Sequence, residues 1–327
     1  MMYPATARRC GNWLSVIFAA RACLSASRSA TPTGAAIESG NQISGASRRS
    51  WTGLRSMSMF ARAVSAAAEL RERYRMKFGI IGFGNLGRAL ASGLLRSGCA
   101  CAGGIFVCDK SPEARAIAEG GLFGLSASEG AGPAIAAADA VFLTVKAHVF
   151  EELSSAIDRR SLSGKTIVSF MAGVPFERIY SLLGEVDLVR AMPSLAIATC
   201  EGVIGYTKAP PEISDVFNKL GFAFETEPED IEKVMAFSSC GLGFAAYLID
   251  AFAAAGGEMG FSPETSAQIA ALTFKNAVDR GRFRETVAAV ATPGGATEQG
   301  VLHMDGSGVY GIVAGAVRKA YERMAGA

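Results

Sequence analysis

The residues with the clearest chemical potential are the three glycines of Gly82-Phe-Gly84-Asn-Leu-Gly87. An apolar run before them predicts a buried strand, and the periodic apolar residues after them predict a helix. In a strand, turn and helix of this kind, the first glycine permits the turn, the second lets the backbone approach a pyrophosphate, and the third lets helix and strand pack closely. The alternative is a glycine turn without a ligand. We expect these residues to bind the diphosphate of a dinucleotide: Gly82, Phe83, Gly84, Asn85, Leu86 and Gly87.

Asp109 and Lys110 are the candidates for recognising the ribose of that dinucleotide. Asp109 comes 22 residues after Gly87, at the end of a second predicted strand over 104–108. An acid at this place accepts from the ribose 2′-hydroxyl, which favours NADH. Lys110 would bind a 2′-phosphate, which favours NADPH. Because Asp109 could also be only a helix cap before Pro112, NADPH and NADH both stay open as cofactors.

The histidines and cysteines do not form the pattern of a metal site. The chain has two His, His148 and His303, and neither has a Cys or a second His at ligand spacing. Its seven Cys are an odd number and suit reduced thiols better than a disulfide framework. The Gly-Lys-Thr at 164–166 ends like a phosphate-binding loop, but Arg159 stands where that loop needs glycine. We therefore expect no bound metal and no second phosphate loop.

The charge is distributed unevenly along the chain. Residues 1–75 hold eleven Arg, three Glu and no Lys, so the rest of the chain carries about six more acidic than basic groups. A mildly acidic folded part argues against nucleic-acid binding. No apolar run reaches the length of a membrane span, since Asp250 interrupts one of the most apolar stretches. We expect neither a nucleic-acid partner nor a membrane one.

The Arg- and Ser-rich composition of residues 1–75 is typical of an organelle transit peptide. Met76 directly precedes the first predicted strand, so the alternative is that the protein begins there and the extension is not part of it. The first reading predicts a mitochondrial or plastid protein, and the second a cytoplasmic one. Both place the extension outside the fold.

The order of predicted elements indicates the fold class, which is α/β. Strands alternate with helices over residues 76–229, which predicts a doubly wound, mostly parallel Rossmann sheet that binds NAD(P). Residues 230–327 contain only helix patterns, over 230–256, 263–281 and 308–325. These Ala-rich helices are too apolar to bury all their faces in so small a domain, so we expect subunits to pack through them.

Several motifs together resemble one family, the pyrroline-5-carboxylate reductases, over nearly all of residues 76–327. The resemblance rests on GFGNLG at 82–87, VK at 145–146, SFMAGVP at 169–175, RAMP at 190–193 and ATPGGAT at 291–297. It implies NAD(P)H-dependent reduction of 1-pyrroline-5-carboxylate to L-proline by a homodimer or larger homo-oligomer. It further implies cofactor contacts at Val145, Lys146, Ala172, Gly173, Met192 and Pro193.

The resemblance also gives the Pro-Gly-Gly segment a role in holding the substrate. It implies that Gly294, Gly295 and Thr297 cradle and position the carboxylate of the imino acid. Two glycines at the start of a helix expose consecutive backbone amides, and Thr297 adds a hydroxyl donor. A cyclic imine is readily protonated, so positioning of the reactants does most of the work.

The chain departs from the family pattern close to the expected site. Ser194 and Leu195 stand where the family has Asn and Thr, Ala147 replaces a Pro, and Leu242 replaces another Pro. Further departures are Ser239, Cys240, Phe283 and Thr286. Ser194 lacks the amide that would orient the nicotinamide or the ring. Two alternatives therefore stay open: a reductase of another small cyclic imine or 2-oxo acid, and a non-catalytic NAD(P)-binding protein.

Overall fold

The computed structural model describes residues 76–326, and the predictions made for residues 1–75 lie outside this range. The first part of the described chain forms one sheet of eight strands, in the order β3-β2-β1-β4-β5-β6-β7-β8. All neighbouring strands are parallel except β6 and β7, which are antiparallel. The strands are β1 Phe78–Ile81, β2 Ile105–Cys108, β3 Ser126–Ser128, β4 Ala140–Leu143, β5 Thr166–Ser169, β6 Asp187–Pro193, β7 Gly202–Tyr206 and β8 Gly221–Glu225.

Twelve α-helices connect and follow these strands in the described residues. Six lie between strands: α1 Asn85–Arg96, α2 Pro112–Glu119, α3 Ala131–Ala137, α4 Ala147–Ser154, α5 Phe176–Leu183 and α6 Pro211–Leu220. Six follow the last strand: α7 Ile231–Val234, α8 Cys240–Glu258, α9 Pro263–Arg280, α10 Phe283–Val290, α11 Ala296–Gly306 and α12 Val309–Ala325. A π-helical turn, Met235–Ser239, joins α7 to α8.

The sheet is doubly wound because its central strands are covered on both faces. Every residue of β1 and β4 is buried, and their Val, Ile, Leu and Phe side chains suit a strand that has no solvent face. Phe78 and Ile80 point into one apolar core, together with Leu90 of α1. Ile81 belongs to a second core with Ile135 of α3. The predicted Rossmann sheet is confirmed.

Some elements of the sheet region were absent from the sequence prediction. The strands β3 and β8 and the helices α3, α5 and α6 were missed. Strand β3 has only three residues, Ser-Ala-Ser, and its short polar composition carries no apolar alternation. The sequence pattern predicts strand β6 only around 187–190, but it runs to Pro193 because the antiparallel pairing with β7 extends from Ala191 to Pro193. This extension places Met192 and Pro193 at the end of a strand rather than in a loop.

Every described element after Glu225 is helical, as the sequence predicted, although α10 and α11 were not foreseen separately. The division into two domains at 229/230 stays a prediction.

The helical segment Pro228–Glu258 is long and apolar enough to cross a membrane, and 11% of its most apolar window is buried. The same segment exposes Tyr247 and Phe252, as a helix that packs against a second subunit does. The prediction that no membrane span exists stays a prediction.

Candidate functional site

The predicted cofactor residues of the sheet region lie along one edge of the sheet. Because β1, β2, β4, β5 and β6 are parallel, their carboxyl ends meet on the same side. The residues at the carboxyl end of each strand therefore lie beside those at the carboxyl end of the adjacent strand. They are the glycine loop 82–87, Asp109 and Lys110, Val145 and Lys146, Ala172 and Gly173, and Met192 and Pro193.

Gly82 and Gly87 have the turn and packing roles that their spacing predicted, and the role of Gly84 towards a diphosphate stays a prediction. Gly82 has φ +103°, a conformation that other residues rarely adopt. A Cβ on Gly87 would lie 2.1 Å from the Gly82 carbonyl oxygen, so helix α1 can pack this closely only with glycine there. A Cβ on Gly84 would meet no atom within 4 Å. The space beside Gly84, at the N-terminus of α1, is therefore open to a diphosphate.

Two polar side chains that the sequence did not single out hold this loop. The Thr144 hydroxyl donates to the Gly82 carbonyl oxygen at 2.6 Å. The Arg88 guanidinium donates from Nε to the Phe83 carbonyl oxygen at 3.0 Å. Arg88 is on the first turn of α1, and its cationic group adds to the positive end of the helix dipole. Both contacts fix the loop in the shape that leaves the space at Gly84 open.

Asp109 binds the glycine loop and does not cap a helix. Its Oδ2 accepts from the Phe83 backbone N–H at 2.6 Å, and its Oδ1 accepts from the Ser111 N–H at 2.9 Å. The cap of helix α2 is Ser111, whose hydroxyl accepts from Ala114 N–H at 3.1 Å. The alternative that Asp109 is only a cap is therefore wrong. Recognition of the ribose by Asp109 stays a prediction.

Lys110 is paired with a carboxylate from another element. Its Nζ lies 2.6 Å from Glu152 Oε1 on helix α4, and both side chains are exposed. The hydrogen bond from Lys110 lowers the pKa of the Glu152 carboxyl. The backbone carbonyls of Asp109 and Lys110 both accept from Arg115 Nη1, at 2.8 and 2.9 Å. Arg115 thus fixes the turn, while the Lys110 ammonium faces solvent with Glu152.

The predicted nicotinamide end combines buried and open residues. Met192 and Pro193 are buried, Lys146 is exposed and precedes helix α4, and Val145 lies against Gly82. A Cβ on Gly173, whose φ is +66°, would lie 3.1 Å from the Met324 carbonyl oxygen. The last turn of α12 therefore lies against the loop that follows β5.

The serines that replace family residues make specific contacts beside Pro193. Ser194 is buried, and its hydroxyl accepts from the Val203 N–H at 3.1 Å, so it stabilises the turn between β6 and β7. The Ser239 hydroxyl, at the end of the π-helical turn, donates to the Pro193 carbonyl oxygen at 3.0 Å. The π-helical turn between α7 and α8 is thereby fixed to the end of β6.

A buried ion pair joins the same two parts of the chain. Arg190 Nη2 lies 2.6 Å from Glu232 Oε1, and the two side chains are 3% and 14% exposed. Arg190 belongs to β6 and Glu232 to α7. The pair lines a cavity of about 550 Å³ with Phe176 and Tyr321. The buried Nε of Arg190 has no hydrogen-bond partner among the described residues.

The Pro-Gly-Gly segment forms the turn between α10 and α11. Gly294 has φ +74°, and Gly295 is the N-cap of α11. The Gly294 N–H donates to Glu298 Oε2 at 2.7 Å, and the Gly295 N–H donates to the Thr292 carbonyl at 2.8 Å. The sequence predicted that the two glycines expose consecutive backbone amides, but the turn uses both amides internally. None of the hydrogen bonds found within residues 76–326 joins the turn to the sheet edge.

Within residues 76–326, no three His, Cys, Asp or Glu side chains are grouped so that they could hold a metal ion. His148 and His303 are both exposed and lie on different helices, α4 and α11. The site therefore has to be interpreted from its glycine turns, amides and charged side chains.

Two family models match the described part of the chain. Residues 77–173 match the family described as NADP oxidoreductase coenzyme F420-dependent. Residues 228–326 match pyrroline-5-carboxylate reductase dimerisation. The pyrroline-5-carboxylate reductase of Aquifex aeolicus is 29% identical over 252 residues, which are 73% of this chain and 92% of that protein. That of Escherichia coli is 29% identical over 76% of this chain and 96% of its own length.

The chain is therefore similar to pyrroline-5-carboxylate reductases over about three quarters of its length, and its residues 228–326 match their dimerisation region.

Solved structures of this family share the fold. A Plasmodium falciparum pyrroline carboxylate reductase with NADP bound has a TM-score of 0.69 at 22% identity, covering 77% of this chain and 97% of its own. A Streptococcus pyogenes 1-pyrroline-5-carboxylate reductase has a TM-score of 0.68 at 21% identity, covering 77% and 99%. At these identities the likeness supports the fold alone.

Proposed function

We propose that this protein is an NAD(P)H-dependent reductase that converts 1-pyrroline-5-carboxylate to L-proline. The observation that carries the proposal is the glycine loop, which leaves the space at Gly84 open at the N-terminus of α1. The oxidoreductase family model matches the sheet region and the dimerisation model matches the helices that follow it. The relatives from Aquifex and Escherichia are reductases of this substrate. A dinucleotide fits the open space because the amides of the first helical turn favour an anion.

The residues of the sheet edge hold the cofactor in this proposal. The amides of the glycine loop and α1 bind its diphosphate, and Asp109 keeps the loop in place through the Phe83 N–H. Val145, Lys146, Ala172, Gly173, Met192 and Pro193 surround the nicotinamide, and the buried Met192 and Pro193 exclude water there. The bound nicotinamide supplies the hydride that reduces the imine carbon.

The turn of Gly294, Gly295 and Thr297 holds the substrate carboxylate, and Gly295, whose N–H is bound to the Thr292 carbonyl, contributes the shape of the turn. The Glu298 carboxylate already accepts from the Gly294 N–H at 2.7 Å, which supports the view that this turn favours a carboxylate. Substrate binding requires the carboxylate of the imino acid to replace Glu298 at that amide. Thr297 is exposed and contributes a hydroxyl donor on the same turn. The reaction then depends on holding the imine against the nicotinamide rather than on a strong acid.

A homodimer or larger homo-oligomer completes the proposal. Helices α8 to α12 expose large apolar side chains, among them Tyr247, Phe283, Tyr310 and Ile312. The family model that matches residues 228–326 is one of dimerisation. Light scattering after size-exclusion chromatography of residues 76–327 is expected to give at least a dimer. A clean monomer would contradict this part of the proposal.

The activity is tested by following NAD(P)H oxidation with a panel of imines and 2-oxo acids. We expect turnover of 1-pyrroline-5-carboxylate, with L-proline identified as the product by chromatography. Turnover of a different cyclic imine, with none of 1-pyrroline-5-carboxylate, would assign another substrate to the same site. Cofactor binding without turnover of any compound would indicate a non-catalytic NAD(P)-binding protein.

A further inference from the structure

The ion pair between Lys110 and Glu152 lies where the ribose of the adenosine is expected. Lys110 belongs to the turn after β2, directly following Asp109, and Glu152 reaches this turn from α4. The Nζ to Oε1 distance is 2.6 Å, and the side chains are 54% and 73% exposed. An exposed pair of this kind contributes little to stability, so its charges are free to change partners when an anion arrives.

The other cations close to this turn have partners in the backbone, and Arg115 also lies 3.7 Å from Glu129 Oε2. Arg115 donates to the carbonyl oxygens of Asp109 and Lys110, and Arg88 donates to that of Phe83. These guanidinium groups fix the turn and the glycine loop. Lys110 differs from them because the hydrogen bond found for its side chain goes to an exposed carboxylate on a separate helix rather than to the backbone. It is therefore the cation of this turn that a phosphate can take over by replacing a single side chain.

We propose that Glu152 sets the selectivity between NADPH and NADH by competing with the 2′-phosphate for Lys110. NADPH has to displace the Glu152 carboxylate before its 2′-phosphate reaches the ammonium group, and the displaced carboxylate then lies near another anion. NADH presents a 2′-hydroxyl and leaves the pair intact. Glu152 thus lowers the advantage that Lys110 gives to NADPH. The inference rests on the proposed cofactor site and deepens it.

The test compares two nucleotides that differ only in the 2′-phosphate, 2′,5′-ADP and 5′-AMP. Calorimetric titrations use the full chain, its Glu152→Gln variant and a matched control, Glu151→Gln. Glu151 is the neighbouring residue of α4 and is also exposed, but it pairs with Arg178. Both variants remove one negative charge from the same helix, so their difference isolates the contact with Lys110.

We expect Glu152→Gln to tighten 2′,5′-ADP about two- to fivefold, the range that an exposed ion pair allows, and to leave 5′-AMP unchanged. Glu151→Gln should change the affinity for either nucleotide by less than this. Lys110→Gln should weaken 2′,5′-ADP, and adding Glu152→Gln to it should then have no effect. The Kd of NADPH and NADH should follow the same pattern.

Two results would overturn the inference while leaving the proposed function in place. One is an unchanged affinity of Glu152→Gln for 2′,5′-ADP while 5′-AMP binds normally. The other is an equal gain in Glu152→Gln and Glu151→Gln, which would reduce the effect to general charge. A chain that binds none of the four nucleotides would overturn the cofactor site itself, and the inference with it.

Discussion

Gly84→Ala separates the ligand role of the glycine loop from its folding role. Gly84 has φ −71° and ψ −162°, which alanine adopts without strain, and the new methyl group would meet no atom within 4 Å. Folding should therefore tolerate the change, and a less flexible unfolded chain is worth about 0.4–1 kcal/mol in favour of the variant. The methyl group instead occupies the space that a diphosphate needs.

The expected loss of cofactor affinity follows from the donors at this turn. If the methyl group prevents one charged hydrogen bond between a loop amide and the diphosphate, binding weakens by about 1.5–3 kcal/mol, or roughly 10- to 150-fold in Kd. The measurements are the Kd of NADPH by titration and the midpoint of urea unfolding without cofactor. We expect a large change in the first and little in the second.

Two further variants make the result decisive. Gly103→Ala is the matched control, because its Cβ would also meet no atom within 4 Å and it lies before β2, at the opposite edge of the sheet. Gly87→Ala is the contrast, because its Cβ would lie 2.1 Å from the Gly82 carbonyl and must disturb the fold. Unchanged NADPH affinity in a folded Gly84→Ala protein would refute the placement of the diphosphate.

Four other variants or measurements test the rest of the site. Glu298→Gln should lower the KM for the imino acid by about fivefold, because a neutral side chain binds the Gly294 amide less strongly than a carboxylate does. A raised KM in steady-state assays would show that Glu298 only caps the turn. Ser239→Ala should reduce kcat/KM about two- to tenfold, because the hydrogen bond to the Pro193 carbonyl is lost. Ser238→Ala loses only a hydrogen bond to the Val234 carbonyl in its own helical segment and should leave kcat/KM unchanged. Equal effects of the two variants would contradict a role of Ser239 in positioning Pro193. Arg190→Met should cost about 3–5 kcal/mol in urea unfolding because Glu232 is left buried without its partner, and the double variant Arg190→Met with Glu232→Leu should recover most of that loss. Burial raises the pKa of Cys108 to about 11, so site-resolved alkylation at pH 8 should modify Cys108 more slowly than Cys101. The stability that the neutral Cys108 thiol contributes should be complete below pH 9 and should be lost as the pH rises towards 11. Faster alkylation of Cys108 than of Cys101 would contradict this burial.

The cofactor loop was predictable from the sequence because its determinants are local. Gly82, Gly84 and Gly87 each act on their own turn or on the helix that follows, and their spacing states these roles directly. Asp109 was placed at the correct strand end for the same reason. Its partner was not predictable, because the Phe83 N–H is 26 residues away in sequence and reaches Asp109 only when β1 and β2 pair.

The contacts that the sequence missed mostly join distant elements. Thr144 lies 62 residues from Gly82, and Glu152 lies 42 from Lys110, so no local spacing connects them. Glu298 is different, since a Glu in the first turn of α11, three residues after the N-cap Gly295, is close enough in sequence to turn back to the backbone before the helix. That spacing could have indicated a carboxylate near this turn, but not that it binds the Gly294 amide rather than that of Gly295.

Three carboxylates of this chain lie on donors that the proposed function assigns to the anionic groups of ligands or to the loop around them. Asp109 accepts from the Phe83 N–H, Glu152 from Lys110 and Glu298 from the Gly294 N–H. A donor group arranged for an anion also attracts an internal carboxylate, so ligand binding here exchanges one anion for another. The net affinity is then smaller than the ligand contacts alone suggest. Asp109 is bound through both oxygens and should stay in place, whereas Glu152 and Glu298 are each bound through one oxygen and are the groups that a ligand replaces.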